Sequence, residues 1–199
     1  MQQKNKKKHL ITQELEESIQ VKKKVKEKLV AKITKIAELI IETYNKGKKV
    51  VIFGNGGSAA DAQHIACELV GRFKKERPAL AAIALSTNTS NLTSIGNDYG
   101  YEMTFARQVE ALVQKGDVVI GMSTSGNATN VLEGIKAARK RRAKTIGFTG
   151  KDGGKLKDVV DLCIIVPSYN TPRIQEVHIT IGHIICGLVE RELFNGKKE

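Results

Sequence analysis

From Gly47 onward the chain alternates short apolar runs with segments of helix length, and this alternation narrows the fold more than any other feature. The runs cover residues 50–53, 81–85, 117–122, 144–148 and 162–166. Their apolar residues follow one another instead of alternating with polar ones, so each run reads as a strand covered on both faces. Strand–helix alternation then implies a parallel sheet joined by right-handed crossovers. The expectation is a doubly wound α/β fold, a five-stranded parallel sheet flanked by helices, over residues 47–199. Upstream, Leu15, Ile19, Val25, Leu29, Ile33, Ile36 and Ile40 recur at mostly three- and four-residue steps. That spacing predicts one long or two shorter amphipathic helices. They form an arm over residues 1–46, expected to pack on the same domain and, in an oligomer, against other copies. With 199 residues, no internal repeat and no Pro-rich linker, one core is expected.

Charge bears on partners. The chain has 33 Lys+Arg against 21 Asp+Glu, a net charge of +12. Much of the excess sits in residues 4–8, 22–28 and 139–144, without interleaved aromatic residues on which bases would stack, which argues against a nucleic-acid partner. The same field concentrates small anions. Cys67, Cys163 and Cys186 form no C-x-x-C pair, so neither a disulfide framework nor a Cys-based zinc site is indicated, and a reducing compartment is the simplest reading. No apolar run approaches the roughly 18 residues of a membrane span, and residues 1–9 lack the apolar core of a signal peptide. A cytoplasmic location is expected.

Two polar loops look suited to a phosphate. The first predicted strand ends in Gly54-Asn55-Gly56-Gly57-Ser58 and runs into a helix over 59–73, where glycines allow a tight turn and expose N–H groups at a helix N-terminus. The plainer reading is a turn that merely needs small residues. Gly54, Gly56 and Ala59 also satisfy G-x-G-x-x-A, but the next strand ends Leu85-Ser86-Thr87-Asn88, with no carboxylate to hold a ribose, so a dinucleotide fold is set aside. A second loop, Ser123-Thr124-Ser125-Gly126-Asn127, opens a helix over 128–140 and offers three hydroxyls. Serine-rich caps are common, yet two such loops at the carboxyl ends of parallel strands lie where open α/β sheets bind ligands.

On the first of these helices Ala62, Ile65, Ala66 and Leu69 share a face, while His64 and Glu68 are neighbours on another, four residues apart. A solvated surface pair is the plainer reading; position beside the glycine loop favours function. The helix over 172–194 carries Ile174, Val177, Ile181, Ile184, Ile185 and Leu188 on one side. Ile179, Gly182, Cys186 and Gly187 lie on the other, with Gln175 and His183. It is expected to be covered twice, by its own sheet and by a partner subunit. His178 is assigned to the core.

Taken together these residues resemble the SIS (sugar isomerase) family, and within it the phosphoheptose isomerases. The resemblance spans nearly the whole chain, the arm included. It is carried by residues 54–58, Asp61-Ala62-Gln63-His64, Glu68-Leu69-Val70-Gly71-Arg72-Phe73, Gly96-Asn97-Asp98, residues 123–127, Thr149-Gly150-Lys151-Asp152-Gly153-Gly154 and Arg173-Ile174-Gln175-Glu176-Val177-His178. It implies a homotetramer with active sites between subunits. It also implies conversion of sedoheptulose 7-phosphate to D-glycero-D-manno-heptose 7-phosphate through an enediol, the first step toward ADP/GDP-heptose precursors. Under the resemblance Glu68 is the enolisation base and His183 its acid partner. His64, Glu68, Gln175 and His183 hold one Zn2+ per subunit. Asn55, Gly56, Gly57, Ser58, Glu68, Arg72, Asn97, Asp98, Ser123, Thr124, Ser125 and Gln175 contact substrate.

Such chemistry needs a base to take a proton from a carbon bearing a hydroxyl, and an acid to reprotonate its neighbour. Gln175 and His183 are eight residues apart, about 12 Å along a helix, so either the helix is disturbed at Gln175 or the metal site draws on two chains. Two positions depart from the family pattern: Ala128 replaces a further phosphate-binding Ser, and Pro172 replaces an Asp near the sugar. The competing readings are a non-catalytic SIS protein that associates with the bacterial replication initiator, and a regulatory sugar-phosphate sensor. Neither needs both Glu68 and His183.

Overall fold

The computed structural model describes residues 2–195; Met1 and residues 196–199, the ends of the two segments named above, lie outside them. Two helices, α1 (Gln2–Lys28) and α2 (Val30–Asn45), precede β1 (Val50–Gly54), α3 (Gly57–Val70), β2 (Ala82–Ala84), α4 (Thr89–Tyr99), a 3-10 turn (Tyr101–Met103) and α5 (Thr104–Leu112). There follow β3 (Val118–Met122), α6 (Thr129–Lys140), β4 (Lys144–Gly150), α7 (Leu156–Val159), β5 (Leu162–Val166) and α8 (Thr171–Phe194). The five strands are parallel throughout and run β2-β1-β3-β4-β5 across the sheet. The chain therefore goes outward from β1 to β2 and returns to the other side of β1 as β3. Strand order reverses between β1 and β3, the place where a crevice opens beyond the carboxyl ends of an open sheet.

Continuous apolar runs became strands buried on both faces, as in Val50–Gly54 and Val118–Met122. One face packs Ile52, Ile120 and Ile146 against α1, α2, α3 and α8; the other packs Val51, Phe53 and Val119 against α5, α6 and α7. The arm is two helices broken at Leu29, and its lower half is core: Val21, Val25, Leu29, Ile33, Ile36 and Ile40 are buried. The stripe does not continue inward to its start, because Leu15 and Ile19 are 61% and 47% exposed. There α1 meets α8 through polar groups instead: Ser18 Oγ donates to Glu176 at 2.8 Å, and Asn170 Nδ2 to Glu17 at 2.9 Å.

Helix α8 corrects one further expectation, that Ile184 and Leu188 share the covered side with Ile174, Val177, Ile181 and Ile185. Ile184 and Leu188 project away from the sheet and are 45% and 37% exposed. At Gly182, on the opposite side, cover comes from the same chain: a Cβ built there would lie 2.6 Å from Ile65, so α3 crosses α8 at glycine distance. Pro172 sits in the first turn of α8, where its missing N–H costs nothing.

Candidate active site

The glycine loop lies at the end of β1. Gly56 adopts φ +53°, a left-handed conformation that glycine takes without steric strain, and the turn closes with Ser58 N donating to Asn55 O at 2.9 Å. Gly57 opens α3, so its amide has no intrahelical acceptor. A Cβ on Gly57 would meet Gln175 Nε2 at 2.5 Å, which places the Gln175 amide directly over this loop.

The serine loop lies at the end of β3, the neighbouring strand, in which Met122 registers with Gly54. It is held from behind by the segment after β4: Gly150 N donates to Thr124 O at 3.1 Å, Leu156 N to Gly126 O at 2.9 Å, and Lys155 N to Asn127 Oδ1 at 3.1 Å. Gly154 has φ +52°, and a Cβ there would run into the Ser125 carbonyl. The hydroxyls of Ser58, Ser123 and Thr124 enter no hydrogen bond within the described residues, although Ser58 and Ser123 are only 3% and 6% exposed. Two loops with free donors thus flank the crevice where the strand order reverses.

Farther along α3 stands a cluster of His64, Glu68 and His183. His64 Nε2 lies 3.1 Å from Glu68 Oε1 and 3.1 Å from His183 Nε2. The ligand atoms of His64, Glu68 and His183 all fall within 4.8 Å of one another. His64 Nε2 can give a single proton to only one of those neighbours, so three lone-pair donors converge with too few hydrogens between them, an arrangement a cation satisfies. Two imidazoles and a carboxylate are suited to zinc. Asp61, one turn earlier, has Oδ2 buried without a partner; burial pushes its carboxyl up to about 6, opposed by His64.

Phe73 stacks on His183, with ring centres 5.6 Å apart and planes 25° from parallel, and Gly187 leaves room for it. The Phe73 loop is fastened by Glu190, which accepts from the backbone N–H groups of Phe73, Lys74 and Lys75 and from Arg77 Nε at 3.2 Å. Burial alone would raise the Glu190 carboxyl; those donors outweigh it and the pKa is lowered. Arg77 in turn donates to the carbonyls of Glu68 and Leu69, capping the end of α3 that carries the candidate base.

Of the sequence-predicted residues, Asn55, Gly56, Gly57, Ser58 and Gln175 lie at one loop, Ser123, Thr124 and Ser125 at the other, and His64, Glu68 and His183 form the cluster. Asn97 and Asp98 are exposed near the end of α4, joined to each other at 2.8 Å, and Arg72 is exposed and paired with Glu76 at 3.5 Å. Glu68 is eleven residues beyond Gly57, about 16 Å along α3. Helix α8 is unbroken from Thr171 to Phe194, so no disturbance at Gln175 brings its amide to the His64–Glu68–His183 cluster within one chain. Sequence reasoning missed Phe73, Glu190, Asn130 and Tyr101. Phe73 falls within a motif, but nothing in its spacing relates it to a histidine on another helix.

Residues 15–150 match the SIS domain family. The phosphoheptose isomerase of a Roseiflexus species is 57% identical over 184 residues, 92% of this chain and 93% of that protein. That of a Nitratiruptor species is 59% identical over 90% of this chain and 96% of its own. Among solved structures, phosphoheptose isomerases from Neisseria gonorrhoeae and Francisella tularensis superpose with TM-scores of 0.88 and 0.90. They are 43% and 35% identical, over 92% of this chain and 98% and 97% of theirs. A sheet whose order reverses between two donor-rich loops, a His–Glu–His cluster and this degree of identity over nearly the full length lead to one assignment: the chain belongs to the phosphoheptose isomerase family of SIS domains.

Proposed function

We propose that the protein interconverts sedoheptulose 7-phosphate and D-glycero-D-manno-heptose 7-phosphate, with Glu68 and His183 as its proton-transfer pair. The observation that carries this reading is the convergence of Glu68, His64 and His183 on one point, on helices that begin beside donor-rich loops. The loops take the phosphate through the N–H groups of Gly56 and Gly57 and the hydroxyls of Ser58, Ser123, Thr124 and Ser125. Asn97, Asp98, Arg72 and Gln175 address the sugar. Glu68 removes a proton from C1 of the ketose while His183 protonates the C2 oxygen, giving the enediol; His183 then takes the C1 hydroxyl proton as the C1 carbonyl forms and the proton held by Glu68 is delivered to C2, which returns both groups to their starting states. Phe73, packed flat on His183, holds the ring and shields one face from water.

His64, Glu68 and His183 would hold a zinc ion, with Gln175 as the fourth ligand drawn from a second copy. Such an ion supplies positive charge against the negative oxygen that develops during proton removal. Three features support assembly as a homotetramer with shared active sites. They are the exposed Leu15 and Ile19 of α1, the exposed Ile184 and Leu188 of α8, and the axial separation of the loops from Glu68. The unpaired Cys67, Cys163 and Cys186 suit work in the reducing cytoplasm. Among the described residues no helix is long and apolar enough to cross a membrane.

Glu68→Gln tests the assignment. It should lower kcat by about 10²–10⁴-fold, the usual worth of a positioned base, while the protein keeps its melting temperature and its stabilisation by inorganic phosphate. Turnover at the parental rate would remove Glu68 from the mechanism.

A further inference from the structure

Asn130, in the first turn of α6, is 3% exposed and faces Asn55 between the two loops. The side-chain amides pair head to tail: Asn55 Nδ2 donates to Asn130 Oδ1 at 2.8 Å, and Asn130 Nδ2 donates to Asn55 Oδ1 at 2.9 Å. Such a pair has no direction of its own, since turning both amides over gives two equivalent bonds. Thr104 supplies the direction. Its fully buried hydroxyl gives its one proton to Tyr101 O at 2.8 Å, so toward Asn130 it can only accept. Asn130 Nδ2 meets it at 3.4 Å, which turns the Asn130 nitrogen to that side, and Asn130 then dictates how Asn55 lies. The Asn55 oxygen, which accepts from Asn130, is reached as well by the Tyr101 hydroxyl at 3.3 Å. The second proton on Asn55 Nδ2 has no partner among the described residues.

We infer that Asn130 is a positioning residue of the phosphate site: with Thr104 behind it, it orients the Asn55 amide so that an N–H, and not the carbonyl oxygen, faces the anion. It also ties the glycine loop to the helix that follows the serine loop, so one side chain sets the spacing of both. The inference rests on the reading of these loops as the phosphate site. An amide turned the wrong way would set an acceptor against an anion, losing a charge-assisted bond and adding repulsion.

Three variants test it, Asn130→Asp, Asn130→Ala and Thr104→Val, each read by steady-state kinetics on sedoheptulose 7-phosphate and by the rise in melting temperature that inorganic phosphate produces. Asn130→Asp accepts from Asn55 but cannot donate, and it adds a negative charge. Its KM should rise at least about tenfold, equivalent to ~1.4 kcal/mol, with kcat within about threefold and the phosphate increment lost. Asn130→Ala should show a smaller rise in KM, and Thr104→Val, which keeps shape but removes the directing acceptor, about threefold. A merely structural role would lower every melting temperature without separating KM from kcat or removing the phosphate increment, and that result overturns the proposal. So do variants whose KM and phosphate increment match the parent. If the Asn130 variants do not fold, Thr104→Val decides by the same readouts. A parent that phosphate stabilises but that does not isomerise the heptulose refutes the proposed activity, while the increments still decide the role of Asn130. A parent indifferent to phosphate refutes the role as well.

Discussion

His178 shows how a single buried residue sets a pH window. Its Nε2 donates to Thr149 O at 3.2 Å, Nδ1 is buried without a partner, and burial lowers its pKa from 6.5 to about 4, opposed by that hydrogen bond. Above pH 6.5 neither folded nor unfolded chain is charged there, so nothing changes. As pH falls from 6.5 toward 4 the unfolded chain takes a proton that the fold refuses, and stability declines by up to about 1.4 kcal/mol per unit, roughly 3 kcal/mol across the window. His178→Gln keeps an N–H for Thr149 and cannot titrate. Urea melts with chelator present should show the variant gaining on the parent by about 2 kcal/mol between neutral pH and about pH 5. Parallel pH profiles would contradict this account. The lowered Glu190 carboxyl acts in a different window: its contribution is complete above the ordinary value of 4.5 and fades as pH drops through its folded pKa.

Among the elements, the segment from Thr149 to Leu156 is the one whose role geometry reveals best. It carries no candidate ligand, yet its backbone fixes the serine loop through Gly150, Lys155 and Leu156, with Gly153 and Gly154 at φ +93° and +52°. Preorganising donors before the anion arrives is what makes such a loop effective. Gly154→Ala would strain the backbone and press on Ser125, moving the loop without touching Glu68 or His183. The expected outcome is a KM raised about tenfold with kcat within about threefold, measured on protein that melts a few degrees below the parent. Loss confined to kcat would place the segment nearer the chemistry than its contacts indicate.

For the whole molecule, the distance along α3 is the deciding quantity. With Glu68 about 16 Å beyond Gly57 and Gln175 held over the glycine loop, one chain presents the proposed anchor and the proposed base as separate stations. A second copy is expected to bring its cluster to the first copy's loops. Two inactive proteins, Glu68→Gln and a loop variant such as Ser123→Tyr, should therefore recover activity when unfolded and refolded together. Statistical mixing would return on the order of a quarter of parental sites in fully random assemblies, since an intact loop and an intact base each come from half of the chains. No recovery in co-assembled material would mean that each chain completes its own site.

What the sequence determined alone was periodicity and local chemistry. Unbroken apolar runs dictated buried parallel strands, glycines and hydroxyls marked both loops, and the four-residue step put His64 beside Glu68, because each of these depends only on neighbours along the chain. Tertiary structure decided the rest. Whether Leu15, Ile184 or Leu188 is covered depends on which helix lies opposite, and periodicity records a face but not its occupant. The approach of His183 to His64, 119 positions apart, the seating of Phe73 upon it and the amide pair of Asn55 with Asn130 arise where separate crossovers converge, and no local pattern encodes such meetings.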